Sequence, residues 1–159
     1  HAGGLVGDHT TQSMIVLLDS TSAPMVWTTG GSTPCVSVFK PYLFGNPVCA
    51  PVFDADDPEA REYWLTHERF VRRFIGTQVP AEYYEQRDRL EADLLTQAAV
   101  NRHNPAAMAE LAQYAWLEEK QLIDQWERDL TPGSLGSGRF RRYWEKKNAA
   151  LGGKRPIIK

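Results

Sequence analysis

No apolar run in this 159-residue sequence approaches the ~20 residues that a helix needs to cross a bilayer, and the longest, Met14 to Leu18, is strand-sized. A membrane partner is therefore not expected. Cysteine is scarce. Cys35 and Cys49 are too few for a disulfide framework, and no metal-type spacing surrounds them, so neither a metal nor a cofactor is expected. A reducing cytoplasm is the default compartment. An excess of one charge is also lacking: the net charge of −2 argues against a generally basic nucleic-acid binder. An initiator methionine is missing too. The chain opens His1-Ala2-Gly3-Gly4 and runs straight into strand-like sequence, so it reads as a fragment from inside a longer protein, with any signal sequence lying upstream.

What is present is ordinary for a globular domain. Hydrophobic residues make up 42% and charged residues 24%, and the length is enough for a core of useful size. The chain has two halves of different period. Residues 10–44 are rich in β-branched, aromatic and turn residues. Ser13 to Leu18 and Met25 to Thr29 read as strands joined by the polar stretch Asp19 to Pro24. Gly30-Gly31 allows unusual backbone angles. Cys35 to Phe39 alternates like a third strand, closed by Pro41, which completes a β-meander with edges that need partners.

After Asp54 the period becomes helical. Asp57-Pro58 is an N-cap followed by proline, and Trp64, Val71 and Ile75, flanked by Tyr63, Phe70 and Phe74, form one broad apolar face ending at Gly76. A second helix is expected from about Pro80 to Ala99, with Tyr83, Leu90 and Leu94 inward. Asn104-Pro105 repeats the cap and opens a third, to about Leu130, on Met108, Leu111, Ala115, Leu122 and Trp126. Thr131 to Gly138 is a linker. The fold class is α+β, with a meander over about 10–44 and helices over about 57–148. The units are 1–56, 57–130 of the same domain, the linker 131–138, and a basic tail over 139–159.

That tail reverses the charge. Eight basic residues and Glu145 give it +7, which leaves −9 for the remainder. Arg139 to Trp144 interleaves cations with aromatics, a composition that nucleic-acid or anionic-surface binders use. The alternative, favoured here, is a short helix that docks its aromatics on the acidic helical body, leaving nucleic acid as a disfavoured partner.

Four short blocks stand in order: His1-Ala2-Gly3-Gly4, Thr10-Thr11-Gln12-Ser13-Met14, Trp27-Thr28-Thr29-Gly30, and Pro34-Cys35-Val36-Ser37-Val38-Phe39-Lys40-Pro41. In this, residues 1–41 resemble the secernin and C69 dipeptidase family, and the helices from Asp57 to Leu130 are similar in style to its C-terminal region. The resemblance implies part of an αββα N-terminal-nucleophile (Ntn) hydrolase core, in which an N-terminal cysteine attacks and its own α-amine is the base. The family's nucleophile and the Asn-Ser-Asp-Arg-like block after it are not present here. His1 matches an internal family block and is not the nucleophile. The implied function is a C-terminal fragment of a dipeptidase-like hydrolase of small-peptide amide bonds, inactive alone, with the missing N-terminal half as partner.

No catalytic residue is assigned within the chain. Thr10, Thr11 and Ser13 are candidates to line a substrate cleft at a strand end, though strand-end hydroxyls also satisfy backbone groups. His1 is a candidate for the pocket edge. Cys35 is the matched cysteine, but most such thiols are small buried hydrophobes and no base flanks it in sequence. Lys40 either meets a substrate carboxylate or snorkels along the surface. His67 and His103 read as ordinary polar residues. The uncovered sheet edge and face predict self-association, up to a homo-oligomer, or stability only beside the missing half. The competing function is a non-catalytic interaction module that binds through the helical half and the basic tail.

Overall fold

The computed structural model describes residues 10–46, 56–74, 78–129 and 138–152. Three short strands, β1 (Met14–Leu17), β2 (Met25–Thr28) and β3 (Lys40–Leu43), form one antiparallel sheet in the order β1-β2-β3. Four helices follow: α1 (Pro58–Arg73), α2 (Ala81–Asn101), α3 (Pro105–Asp129) and α4 (Gly138–Gly152). The chain is thus mixed α+β, a meander followed by helices. The block at His1, the residues Cys49, Ile75, Gly76 and Leu130, and linker residues 131–137 lie outside the described residues, and Gly138 is already the first residue of α4.

The third strand is not where alternation placed it. Residues Pro34–Val36 form a 3-10 turn entered from Thr33 in the left-handed region (φ 59°), and pairing begins only at Lys40. Pro41 lies inside β3 rather than closing a strand. Phe44 N–H donates to Pro24 O at 2.9 Å, and pairing alternates from there, so Pro41 opposite Trp27 occupies a non-hydrogen-bonded position. Its missing N–H therefore costs the ladder nothing, the setting in which an edge strand tolerates proline.

Met25 and Trp27 of β2 face the helices. With Val38, Leu94, Ala98, Met108, Leu111 and Ala115 they form one core cluster, and Phe39, Leu43 and Leu90 pack at its margin. A second cluster joins Val36, Phe70, Val71, Phe74, Tyr83, Leu122 and Ile123. Both helix caps anticipated from the sequence form: Asp57 accepts from Glu59 N–H at 2.8 Å and Asn104 from Ala107 N–H at 3.2 Å. Trp64 departs from its expected place on the buried face and is exposed.

The helices pack on β3 and stop short of β1. Ile15 and Leu17 share the helix-facing side with Trp27 and Met25, and Met14 and Val16 point the other way, yet residues 14–18 are all 45 to 77% exposed. An uncharged apolar edge strand is thus bare on both faces.

Helix α4 docks on α1, as its aromatics suggested. Trp144 is 7% exposed and lies under the Arg72 guanidinium, 5.6 Å from the ring centroid, while Arg72 also donates to Lys147 O at 3.1 Å. Phe140 and Trp144 share this inner face. Arg139, Arg142, Tyr143, Lys146 and Lys147 recur at helical spacing on the outer one, and all are exposed. Trp144→Ala is expected to destabilise the protein by about 3 kcal/mol in urea unfolding, and Tyr143→Ala by less than about 0.5 kcal/mol. Equal small effects at the two positions would show that α4 is not docked.

Candidate functional site

The segment Cys35 to Lys40 has almost no strand partner, yet it is largely buried, so its polar groups must be met some other way. Helix α2 meets them with three side chains one turn apart. Tyr83 Oη donates to Val36 O at 2.5 Å, Arg87 donates to Cys35 O, and Glu91 accepts from Phe39 N–H at 2.9 Å. From α3, Glu119 accepts the Val38 N–H at 2.8 Å. From α1, His67 Nε2 lies 2.9 Å from Ser37 Oγ.

Glu119 is fully buried and is the centre of this arrangement. Besides Val38 it accepts from Tyr63 Oη, and it pairs with Lys40 Nζ at 2.5 Å. Lys40 gives its remaining protons to Thr29 O at 2.8 Å and Val38 O at 3.0 Å. All three ammonium donors are thereby used. Lys40 therefore neither binds a substrate carboxylate nor snorkels; it is a buried counter-ion. Burial raises the Glu119 carboxyl, but Lys40, His67 and the Tyr63 hydroxyl outweigh it and hold the group below the usual carboxylate range. Burial, reinforced by the negative charge of Glu119, pushes the Tyr63 phenol well above its ordinary value.

Next to this hub, Ser32 Oγ donates to Glu68, whose other oxygen pairs with Arg72 Nε at 2.6 Å. Gly31 rests on the imidazole of His67: a Cβ there would lie 2.8 Å from ring Cε1 and 2.9 Å from both nitrogens. Only glycine fits.

Ser37 and His67 have the separation of a nucleophile and its base, but the surroundings oppose that role. Both are buried, and Ser37 Oγ lies within reach of Thr33 O (3.3 Å) and Ser32 O (3.4 Å). A hydroxyl donating there accepts from an Nε2–H ring, which puts the basic lone pair on the far nitrogen. That nitrogen, Nδ1, has no partner among the described residues, whereas a triad would place a carboxylate there. Glu119 instead approaches Nε2, at 3.9 Å. The surface depression lined by Glu59, Glu62, Tyr63, Thr66, Trp116, Lys120 and Ile123 includes neither residue. The cluster is a buried brace, not a catalytic dyad.

Thr10 and Thr11 are exposed at the entry to β1, and Ser13 is half-buried. Thr10 O accepts from Thr33 N–H at 2.8 Å, and Ser13 N–H reaches Thr29 Oγ1 at 3.1 Å while Thr29 N–H returns to Ser13 O at 3.1 Å. These residues therefore sit together along one rim with the Gly30–Thr33 connection. His1 lies outside the described residues. Cys35 is exposed, and the described contact of His67 goes to Ser37 rather than to Cys35. Among the described residues no group of His, Cys, Asp and Glu is arranged to hold a metal ion, and no helix is long and apolar enough to cross a membrane. Comparison of the chain with protein-family models, with curated proteins and with solved structures found no match.

In the sequence His67 is set aside as an ordinary polar residue and Glu68 and Glu119 are not singled out, although a signal exists. His67 lies on the stripe of Phe70, Val71 and Phe74, and Glu119 on that of Ala115, Leu122 and Ile123. Ionisable residues on apolar stripes, together with a lysine between Phe39 and Pro41, mark a buried polar network. Its titration has a defined sign. Burial holds His67 below its ordinary 6.5, so the unfolded chain binds this proton first and folding stability falls as pH drops below about 6.5. Glu119, also depressed, adds loss in the same direction at lower pH. His67→Gln is expected to remove this fall in stability between neutral and mildly acid pH, read by urea unfolding across pH. Glu119→Gln, which strands Lys40, is expected to cost about 3 kcal/mol or more at neutral pH.

Proposed function

We propose that this chain is the C-terminal part of a cysteine-dependent N-terminal-nucleophile hydrolase that cleaves amide bonds of small peptides. Its sheet would form part of an αββα core, and a preceding segment would supply the nucleophilic cysteine. The observation that carries this reading is β1, an apolar strand exposed on both faces. A strand of that composition has a stable place only inside a layered sheet, with a neighbouring strand at its edge and cover on each side. The motif resemblance concentrates in the same region. Its Thr-Thr-x-Ser-Met block enters β1, its Trp-x-Thr-Gly block spans the end of β2 and the start of the connection that follows, and its Pro-Cys-x-Ser-x-Phe-Lys-Pro block is the braced segment leading into β3. The peptide would lie along the rim formed by Thr10, Thr11, Ser13 and the Gly30–Thr33 connection, where exposed hydroxyls and backbone groups can orient it.

A second reading, a non-catalytic interaction module, draws support from the outward cations of α4 at Arg139, Arg142, Lys146 and Lys147. Catalysis separates the two. The full-length protein is expected to hydrolyse dipeptides, to lose turnover when its N-terminal cysteine becomes alanine, and to keep it in Cys35→Ala. The 159-residue chain alone is expected to show no turnover and to self-associate, and Ile15→Lys should reduce that association. Turnover by the chain alone that disappears in Cys35→Ala or Ser37→Ala would move the nucleophile into this chain. A monomeric mass with a cooperative melt would remove the support that β1 gives.

A further inference from the structure

The Gly30–Thr33 connection takes its shape from the helix beneath it. Two of its residues lie in the left-handed region, Gly30 at φ 63° and Thr33 at φ 59°. A β-branched residue adopts that region only when its surroundings impose it. Here the imposition is visible. Glu68 takes the Ser32 hydroxyl, the His67 ring carries Gly31 on its face, and the same ring holds Ser37 at 2.9 Å just beyond the turn. Two consecutive α1 residues thus grip the connection at Gly31 and Ser32 and the chain just beyond it at Ser37. The connection in turn holds Thr10 through Thr33 N–H, and Thr29, at its start, holds Ser13.

We infer that His67 and Glu68 are positioning residues for the peptide-binding rim formed by Thr10, Thr11, Ser13 and the Gly30–Thr33 connection. The inference rests on the hydrolase reading for the identity of the ligand, but not for the mechanics. The charged groups that face the imidazole are Glu119 from α3, Lys40 from β3 and Glu68 from α1 itself. In the neutral ring, Nε2 meets Ser37 and Nδ1 leaves only an uncharged lone pair unpaired, the smaller cost. In the protonated ring, Nδ1 carries a hydrogen that no described group accepts, and the ring cannot tilt without displacing Gly31. Protonation therefore loosens the rim. Since the attacking cysteine lies elsewhere, the effect falls on substrate binding more than on the chemical step.

The test has two arms. In the full-length protein, KM for a dipeptide should rise several-fold as pH falls through the range in which His67 takes its proton, with a much smaller change in kcat. His67→Gln should remove that acid rise in KM. An unaltered acid rise in His67→Gln, or a loss confined to kcat, overturns the inference. The other arm reads amide hydrogen exchange in the same protein. In Glu68→Ala and in Gly31→Ala, which drives a methyl into the ring, exchange at Thr33 should accelerate. Val26 and Tyr42 in the β2–β3 ladder should keep their protection. Uniform acceleration, as from general destabilisation, or none at all, overturns it. If the wild-type protein cleaves no dipeptide, the hydrolase reading fails while the exchange arm still decides the positioning.

Discussion

The carboxylate of Glu119 is the constraint from which the rest of the structure follows. Placing it in the core requires a counter-charge and hydrogen-bond donors, because an isolated buried carboxylate is too costly to persist. Lys40, Tyr63 and the Val38 amide supply them, and those three groups belong to β3, α1 and the segment between the 3-10 turn and β3. One side chain of α3 thereby helps fix where β3 begins, how α1 approaches it and why Cys35 to Phe39 does not pair as a strand. The apolar clusters lie on either side of this polar centre, one under β2 and one between α1, α2 and α3. Hydrophobic burial gives the fold its bulk, and the hub gives it a unique arrangement.

Elements set by local chemistry were legible in the sequence. Proline after Asp57 and Asn104 marked two helix starts to the residue, and the inward positions of α2 and α3 followed from period alone. The strands of β1 and β2 were legible for the same reason. What failed was the segment whose backbone is satisfied by distant side chains. Alternation from Cys35 to Phe39 imitates a strand, but partners 47 residues on at Tyr83 and 81 residues on at Glu119 claim its hydrogen-bonding groups. No window of local sequence contains that information. Lys40 was misread for the same reason, since a lysine's burial depends on whether a carboxylate waits in the fold.

The candidate rim was legible only in part. Thr10, Thr11 and Ser13 were picked out as polar residues at a strand entry, and the structure brings the backbone of Thr10 to Thr33 and that of Ser13 to Thr29. The support beneath the rim was not foreseen, because His67 and Glu68 look like ordinary members of a charged helix until Gly31 and Ser32 are placed on them. The exposed β1 pairs with β2, and the basic outer face of α4 belongs to a helix that packs on α1. One is uncharged and apolar, the other cationic around a single tyrosine, so they would suit different neighbours.

Helix α2 illustrates a further constraint. Tyr83, Arg87 and Glu91 reach the same strip of backbone because they are spaced by four residues, which returns each to nearly the same side of the helix. Substitutions on its opposite side, at Glu82, Asp93 or Thr96, leave that alignment intact. Inserting or deleting one residue between Tyr83 and Glu91 would turn one end of the helix by about 100° relative to the other, and no choice of side chains could restore all three contacts. In this stretch, length is under tighter control than composition, and natural variation should show many replacements there but no change in residue count.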